Sequence, residues 1–523
     1  MKLLEVYLLP LDERRFKAIA THSPTGDGEA ESCLPFWDGE QDRRSTLIKV
    51  LEGSGVFRAE HFPRPGEQAW MVEAGILNAD QQSFHPSYLE QIGQALYTAL
   101  FPSNSSLKSA FQTALRLAEQ EGTELHLRLK FSADSAARSR LADYPWELLH
   151  DGQRFLQHRQ LVISRYIAYE SLPPAFSPQT RLRVLLISPR AEDTAQGLVK
   201  LSDAEQQAIR MGLSKAEAEG LVTLEQLPKA TLRILSANLS QRAEADMPQV
   251  LHFDGHGLFG KRCANPQCGQ IHAGIRVERC RNCGQPLPEP TGFLLFEDEQ
   301  GAPDYVSAAT LAAFLPRGVA LVVLSACQSG MAVAGESVFN GTAQQLIDAR
   351  VPAVVAMQYA VSVDAASQFA EQFYRVLGQQ KPLLTALNEG RKWMGVDGNQ
   401  WYRPVLYLRW LDNQGGQLFA NTLPQASPVG TALDFETKQD FRTPPDEPSI
   451  ELLRSVLETG VLSPDQLERQ GLENEYVKLT AKYEGLSEQI EGELNEDNKD
   501  TLRTRRETIK HKMNGIWSRL NES

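Results

Sequence analysis

No stretch of the 523 residues approaches the roughly 18 consecutive apolar positions of a membrane-spanning helix, so no helical span is expected. Basic residues are in deficit: 53 Lys and Arg face 66 Asp and Glu, a net charge of −13, which argues against a surface built for nucleic acid. Cysteine is scarce. Of six, four crowd into one segment, leaving Cys33 and Cys327 alone, too uneven a distribution for a disulfide framework. The first ten residues are too brief for a secretory core and are broken by Glu5; they read as a strand, and the expected compartment is a reducing cytoplasm. No self-similarity at the period of helical repeats is present, which excludes a solenoid. What remains is ordinary: 42% apolar residues, enough for two or three domains with cores of normal size.

Against that background two blocks stand out. LeuHisPheAspGlyHisGly at 251–257 and ValValLeuSerAlaCysGlnSerGly at 322–330 each read as a short apolar strand that stops at a reactive side chain, His256 in one and Cys327 in the other. Strand ends from distant parts of a chain are where a parallel α/β sheet assembles its functional side chains. A free thiol ionises at about pH 8.5, and only the thiolate attacks a carbonyl well. An adjacent imidazole can take that proton and return it to a leaving amine. Gly257, beside the base, and the Cys327 amide are candidate donors to the oxyanion, the glycine because no Cβ obstructs the approach. A lone cysteine after a core strand is more often inert packing. Two strand-end motifs with flanking glycines favour a cysteine–histidine dyad instead. No side chain orienting His256 can be named: His252 and Asp254 are close in sequence, but alternation does not say which face each takes. Cys33, near Pro35, Phe36 and Trp37, reads as a packing residue.

Between the two blocks lie Cys263-x4-Cys268 and, eleven residues on, Cys280-x2-Cys283, each pair followed by a glycine (Gly269, Gly284). Two such knuckles read as a four-cysteine zinc ribbon, with thiolates at about 2.3 Å from a tetrahedral Zn²⁺. Two disulfides or an iron–sulfur site are the alternatives, and a reducing compartment disfavours the disulfides. Four ligands leave no open position, so the zinc is expected to be structural. Lys261, Arg262, Arg276, Arg279 and Arg281 are too few, in so acidic a chain, to make the ribbon a nucleic-acid reader.

At the dyad residues the sequence resembles the CHAT family, caspase-like peptidases related to separase and the caspases. The likeness extends to AspTyrProTrpGluLeuLeuHisAspGly at 143–152, PheLeu at 155–156, IleSerArgTyr at 163–166 and ArgValLeuLeuIleSerPro at 183–189. It continues through AsnGlyThrAlaGlnGlnLeuIleAspAlaArgValProAlaValValAlaMetGlnTyr at 340–359, PheTyrArgValLeu at 373–377 and TrpTyrArgProValLeuTyr at 401–407. It covers about 140–412, and His256 and Cys327 match the family's catalytic positions. The chain departs from the caspase pattern GlnAlaCys, carrying Ser325-Ala326-Cys327, and lacks an aspartate two residues before the nucleophile. Asp364 resembles the acidic residue of a separase-type S1 pocket, which would favour Arg or Lys at P1; it reads equally as a helix N-cap. His256 and Cys327 are 71 residues apart, against about 50 in caspases; removing a ribbon at 259–291 leaves about 40, so the ribbon reads as an insertion.

The expected layout follows. Residues 1–140 form an α+β region, with strands at 2–9, 14–21 and 70–77, helices at 86–101 and 105–120, and a strand at 125–131; by resemblance it is an inactive, pseudo-peptidase-like half. Residues 141–412 form the caspase-like domain, a mostly parallel sheet with helices on both faces, in which a strand at 292–297 takes its place among the alternating elements. A linker at 413–447 precedes a helical region at 448–523, whose last two helices, about 473–495 and 498–521, read as an antiparallel hairpin. That hairpin resembles small adaptor modules of bacterial conflict systems and reads equally as a tail folded on the peptidase. The small-residue-rich stretch 328–340 reads as a mobile loop. The expected function is cysteine endopeptidase cleavage of a protein target, with a regulatory partner engaged through the C-terminal helices; by resemblance the setting is prokaryotic antiviral defence or regulated cell death. A catalytically silent scaffold that recruits partners is the rival.

Overall fold

The structure, a computed structural model, describes residues 1–53, 55–64, 66–133, 141–170, 176–274, 277–315, 318–325, 338–395, 399–410 and 414–420, the side chains of 338–341 excepted. Cys327, most of the 328–340 loop, most of the expected linker and the whole helical region at 448–523 lie outside the described residues. Seventeen strands are described: β1 (Lys2–Pro10), β2 (Arg15–His22), β3 (Glu29–Cys33), β4 (Trp37–Asp38), β5 (Gln41–Asp42), β6 (Leu125–Ser132), β7 (Leu161–Ala168), β8 (Leu182–Ile187), β9 (Val222–Gln226), β10 (Val250–Asp254), β11 (Gly257–Arg262), β12 (Ile271–Ala273), β13 (Thr291–Glu297), β14 (Pro303–Ser307), β15 (Leu321–Ser325), β16 (Ala353–Met357) and β17 (Pro404–Leu408).

Eleven of them make one sheet in the order β3-β2-β1-β6-β7-β17-β16-β15-β10-β8-β9. β16, β15, β10, β8 and β9 run parallel, as do β1, β6, β7 and β17; the two sets meet antiparallel where β17 pairs β16. The central strands carry apolar runs rather than alternation, as ValLeuHisPheAsp, LeuValValLeuSer and AlaValValAlaMet show, and all fifteen of these positions are buried. That is the signature of parallel strands covered on both faces. Helices Ala204–Ala218 and Val363–Gly378 pack together on one face, closely enough that a Cβ on Gly212 would lie 2.4 Å from the Glu371 carbonyl. No described helix is long and apolar enough to cross a membrane.

Three expectations are corrected. Residues 70–77 are not a strand: helix Glu67–Glu73 buries Glu67, Trp70 and Met71, the i, i+3, i+4 spacing of a helix face, and among the described residues their β-pairing is limited to a single bridge from Leu77 to Phe84. Strand β13 leaves the main sheet and pairs antiparallel with β11 before it and β14 after it, the latter joined to it by a short turn. Cys33 is exposed at the end of the edge strand β3 rather than packed. The chain also stays in the fold to Ala420: Leu418 and Phe419 are buried, and Gln179 exchanges hydrogen bonds with Leu418 and Ala420 at 2.8 and 2.9 Å.

Beneath the carboxyl end of β16 lies a buried ionic cluster. Arg165 on β7 is fully buried and binds Glu147 at 2.5 Å, the Ala142 and Tyr144 carbonyls at 2.5 and 3.1 Å, and Gln358 Oε1 at 2.7 Å. Arg391 adds a second guanidinium 3.5 Å from Glu147, and burial brings it down to about 10. The AspTyrProTrpGluLeuLeu and IleSerArgTyr segments are thus two halves of one ion pair. Glu147→Gln leaves buried cations without their counter-charge, and is expected to cost about 3–5 kcal/mol, read as a lowered denaturation midpoint with unchanged m-value.

A second buried acid ties the N-terminal region to the rim of β16. Glu52 accepts the Ala360 N–H at 2.9 Å, yet burial pushes its carboxyl up to about 7 against that bond and the pull of Arg403. With the folded value above the unfolded one of about 4.3, the folded state holds the proton more tightly. Its contribution is therefore full below about pH 4 and lost as pH rises through about 7. Glu52→Gln is expected to lose less stability than wild type between pH 5 and pH 8, measured by urea midpoints at the two values.

Candidate active site and metal centre

β10 and β15 are adjacent parallel strands in a register that sets Asp254 opposite Ser325. Gly255 N–H donates to the Ser325 carbonyl at 3.2 Å, carrying the pairing one residue further. His256 follows two residues beyond Asp254, and Cys327 in sequence two residues beyond Ser325. The strands that lead into the two blocks, β10 and β15, therefore end side by side at one edge of the sheet.

The structure separates the two histidines. On β10, His252 faces the helical side, where Nδ1 meets the Tyr374 hydroxyl at 2.9 Å and Nε2 meets Glu205 at 3.1 Å. Asp254 is held by Arg190 at 3.4 Å; burial, and then the Glu205 charge, push its carboxyl up to about 7 against that cation. Both belong to a buried network under the sheet. His256 is also buried, but its Nε2 lies 2.5 Å from the Val199 carbonyl. A carbonyl can only accept, so Nε2 carries the hydrogen and Nδ1 is the basic nitrogen. Val199 is the orienting group that sequence reasoning missed. A main-chain carbonyl has no residue-type signature, and Val199 sits 57 positions from His256.

Gly257 opens β11 opposite Leu294. The Leu295 N–H donates to the His256 carbonyl at 2.9 Å, so 256/295 is the hydrogen-bonded pair of this ladder and 257/294 the other kind. The Gly257 N–H accordingly points away from β13. Asp364 stands exposed in the first turn of helix Val363–Gly378, where its charge complements the helix dipole. The cap itself is Ser362, whose hydroxyl accepts from Ala365 N–H at 3.3 Å.

The four loop cysteines come together. Their Sγ atoms lie within 4.8 Å of one another, Cys263 to Cys283 at 3.4 Å and Cys268 to Cys280 at 3.6 Å. Disulfide sulfurs sit at about 2.05 Å; edges of a tetrahedron of thiolates about 2.3 Å from zinc are about 3.8 Å. The arrangement fits a tetrahedral ion and not a pair of disulfides. Gly269 and Gly284, at φ of 57° and 74°, make the turns behind the second cysteine of each knuckle. Asn282 Nδ2 donates to Cys268 Sγ at 3.4 Å and His272 Nε2 lies 3.3 Å from Cys280 Sγ, donors suited to thiolate charge. The cluster hangs on the four-stranded sheet β12-β11-β13-β14, over a small core of its own that includes Leu198, Leu258, Ile271, Phe293 and Leu295. Gly260 is required there, since a Cβ would fall 2.3 Å from the His272 carbonyl.

No curated protein matches. Two crystal structures of the Saccharomyces cerevisiae separase–securin complex, at 3.0 and 2.6 Å, are similar at 12% and 10% identity, with TM-scores of 0.36 and 0.34. They cover 78% and 77% of this chain and 30% of theirs, so the chain spans under a third of those solved chains. Residues 463–523 match the family model of effector-associated domain 9. Residues 90–415 match that of the CHAT domain, well over half of the chain, and the protein belongs to the CHAT domain family.

Proposed function

We propose that the chain is a cysteine endopeptidase acting on a protein target, with Cys327 as nucleophile and His256 as base and then acid. The observation that carries this is the β10/β15 register, in which the strands leading into the two blocks end side by side. His256 Nδ1 takes the thiol proton, and the thiolate adds to the scissile carbonyl. Gly257 N–H and the Cys327 amide receive the oxyanion. Collapse expels the amine, which takes the proton from His256 and leaves a thioester; water, deprotonated by the same imidazole, releases the acid and restores the thiol. The Val199 carbonyl supports the reading, since it sets the tautomer that such a base needs. Asp364 supplies a carboxylate for an Arg or Lys at P1.

Zinc in the four-cysteine cluster is structural in this proposal, bound by Cys263, Cys268, Cys280 and Cys283. The match at 463–523 supports recruitment of a regulatory protein partner through the C-terminal residues. Prokaryotic defence or regulated cell death, in the cytoplasm, is the setting that family resemblance supplies. The test is proteome-wide mapping of new amino termini with wild type beside Cys327→Ala. Termini present in the wild type and absent from the variant, most following Arg or Lys, are expected. Identical sets would leave the scaffold reading in its place.

A further inference from the structure

The four-stranded sheet ends on an edge that no described strand covers: β12 pairs with β11 alone. The Cys263 N–H to Gln270 carbonyl bond at 2.9 Å and the Gly274 N–H to Phe259 carbonyl bond at 2.8 Å show which positions face β11, namely 270, 272 and 274. By the alternation of an antiparallel ladder, Ile271 and Ala273 turn their N–H and C=O groups the other way. There they meet a cleft of about 440 Å³, whose lining includes Ala195, Gln196, Gln270, Arg281 and Asn282. No carboxylate is among its described lining residues, and Arg281 is exposed without an ion pair among the described residues. The Ile271 carbonyl accepts from the Gln270 side-chain amide at 3.3 Å, a neighbour's contact that an incoming N–H can replace.

The cleft's far wall explains what it serves. Ala195 and Gln196 belong to the turn that runs on to Val199, whose carbonyl holds His256. The near wall belongs to the sheet whose strand β11 starts immediately after His256. We infer that the β12 edge is an exosite for an extended acidic segment of the protein substrate, which adds as a fifth strand and turns its carboxylates to Arg281. Main-chain hydrogen bonds to Ile271 and Ala273 give affinity, and the side chains of alternate residues give specificity. The inference rests on the peptidase reading and names how that site selects its target.

The test uses the full-length Cys327→Ala protein, immobilised, to select from a displayed library of random ten-residue peptides. Enriched sequences are expected to alternate Asp or Glu with β-branched residues, and to lose at least tenfold in affinity for Arg281→Glu and for Ala273→Pro. The thiolate-to-cobalt charge-transfer band of the Co²⁺-loaded protein reports whether each variant keeps its ribbon; if Ala273→Pro does not, Arg281→Glu decides alone. No enrichment, enrichment without acids, or undiminished binding to Arg281→Glu overturns the exosite. The two readings fail separately. Wild-type Cys327 that labels with a peptidyl electrophile while no peptide is selected sinks the exosite alone. Selected acidic peptides on a protein whose Cys327 never labels support the edge and sink the peptidase reading instead.

Discussion

Cys327→Ala is expected to lower cleavage of an accepted peptide by about 10⁴-fold or more, and His256→Ala by a comparable factor, because nucleophile and base act as a unit. The double variant should then be no slower than either single one. The measurement is kcat/KM on a peptide taken from the mapped cleavage sites, with labelling of Cys327 by a peptidyl electrophile alongside. His256→Ala should abolish labelling as well as turnover, since the imidazole must first make the thiolate. Activity within tenfold of wild type in His256→Ala would remove the imidazole from the mechanism.

Cys280→Ser is expected to have the next largest effect. Apparent binding energies for structural zinc in small domains are about 10–16 kcal/mol, so the ion does much of the folding of such a module. With zinc bound as proposed, metal content should fall from one ion per chain to near zero. The small core under β11, β12 and β13 should loosen with it, because β12, with three residues and one partner strand, has little else to hold it. Cleavage is expected to drop ten- to a hundredfold: Gly257 starts the strand against which β12 packs, and Leu198, next to Val199, lies in the same small core. The larger sheet, whose core takes Leu294, Phe296 and Val306 from β13 and β14 but nothing from β12, should keep most of its unfolding midpoint. Unchanged cleavage by a protein that has lost its metal would show that the ribbon takes no part in the cleft.

The legible parts of this chain were those written in side chains. Apolar runs at 250–254, 321–325 and 353–357 mark buried parallel strands, and the cysteine spacing marks a cluster that the fold closes. What stayed hidden was written in main chain or in partner choice. β13 is as apolar as a core strand, and nothing in PheLeuLeuPhe says that its neighbours are β11 and β14. Residues 70–77 mix both periodicities, and burial of Glu67, Trp70 and Met71 decides for the helix. His252 and His256 have the same side chain four positions apart; one is fixed under the sheet by Glu205 and Tyr374, the other is turned to a backbone carbonyl. Segments 143–149 and 163–166, motif-like to the eye, are explained by an internal ion pair and not by chemistry.

The antiparallel seam between β16 and β17 gives the molecule two rims with opposite polarity. On one rim the β16, β15, β10 and β8 strands finish while β7 and β17 begin; on the other the roles are exchanged. Five-residue strands set the rims about 17 Å apart. Segments leaving Ser132, Ala168 and Leu408 depart from the rim opposite His256. Insertions there can lengthen the chain, or accept a fused domain, without shifting an atom around the imidazole.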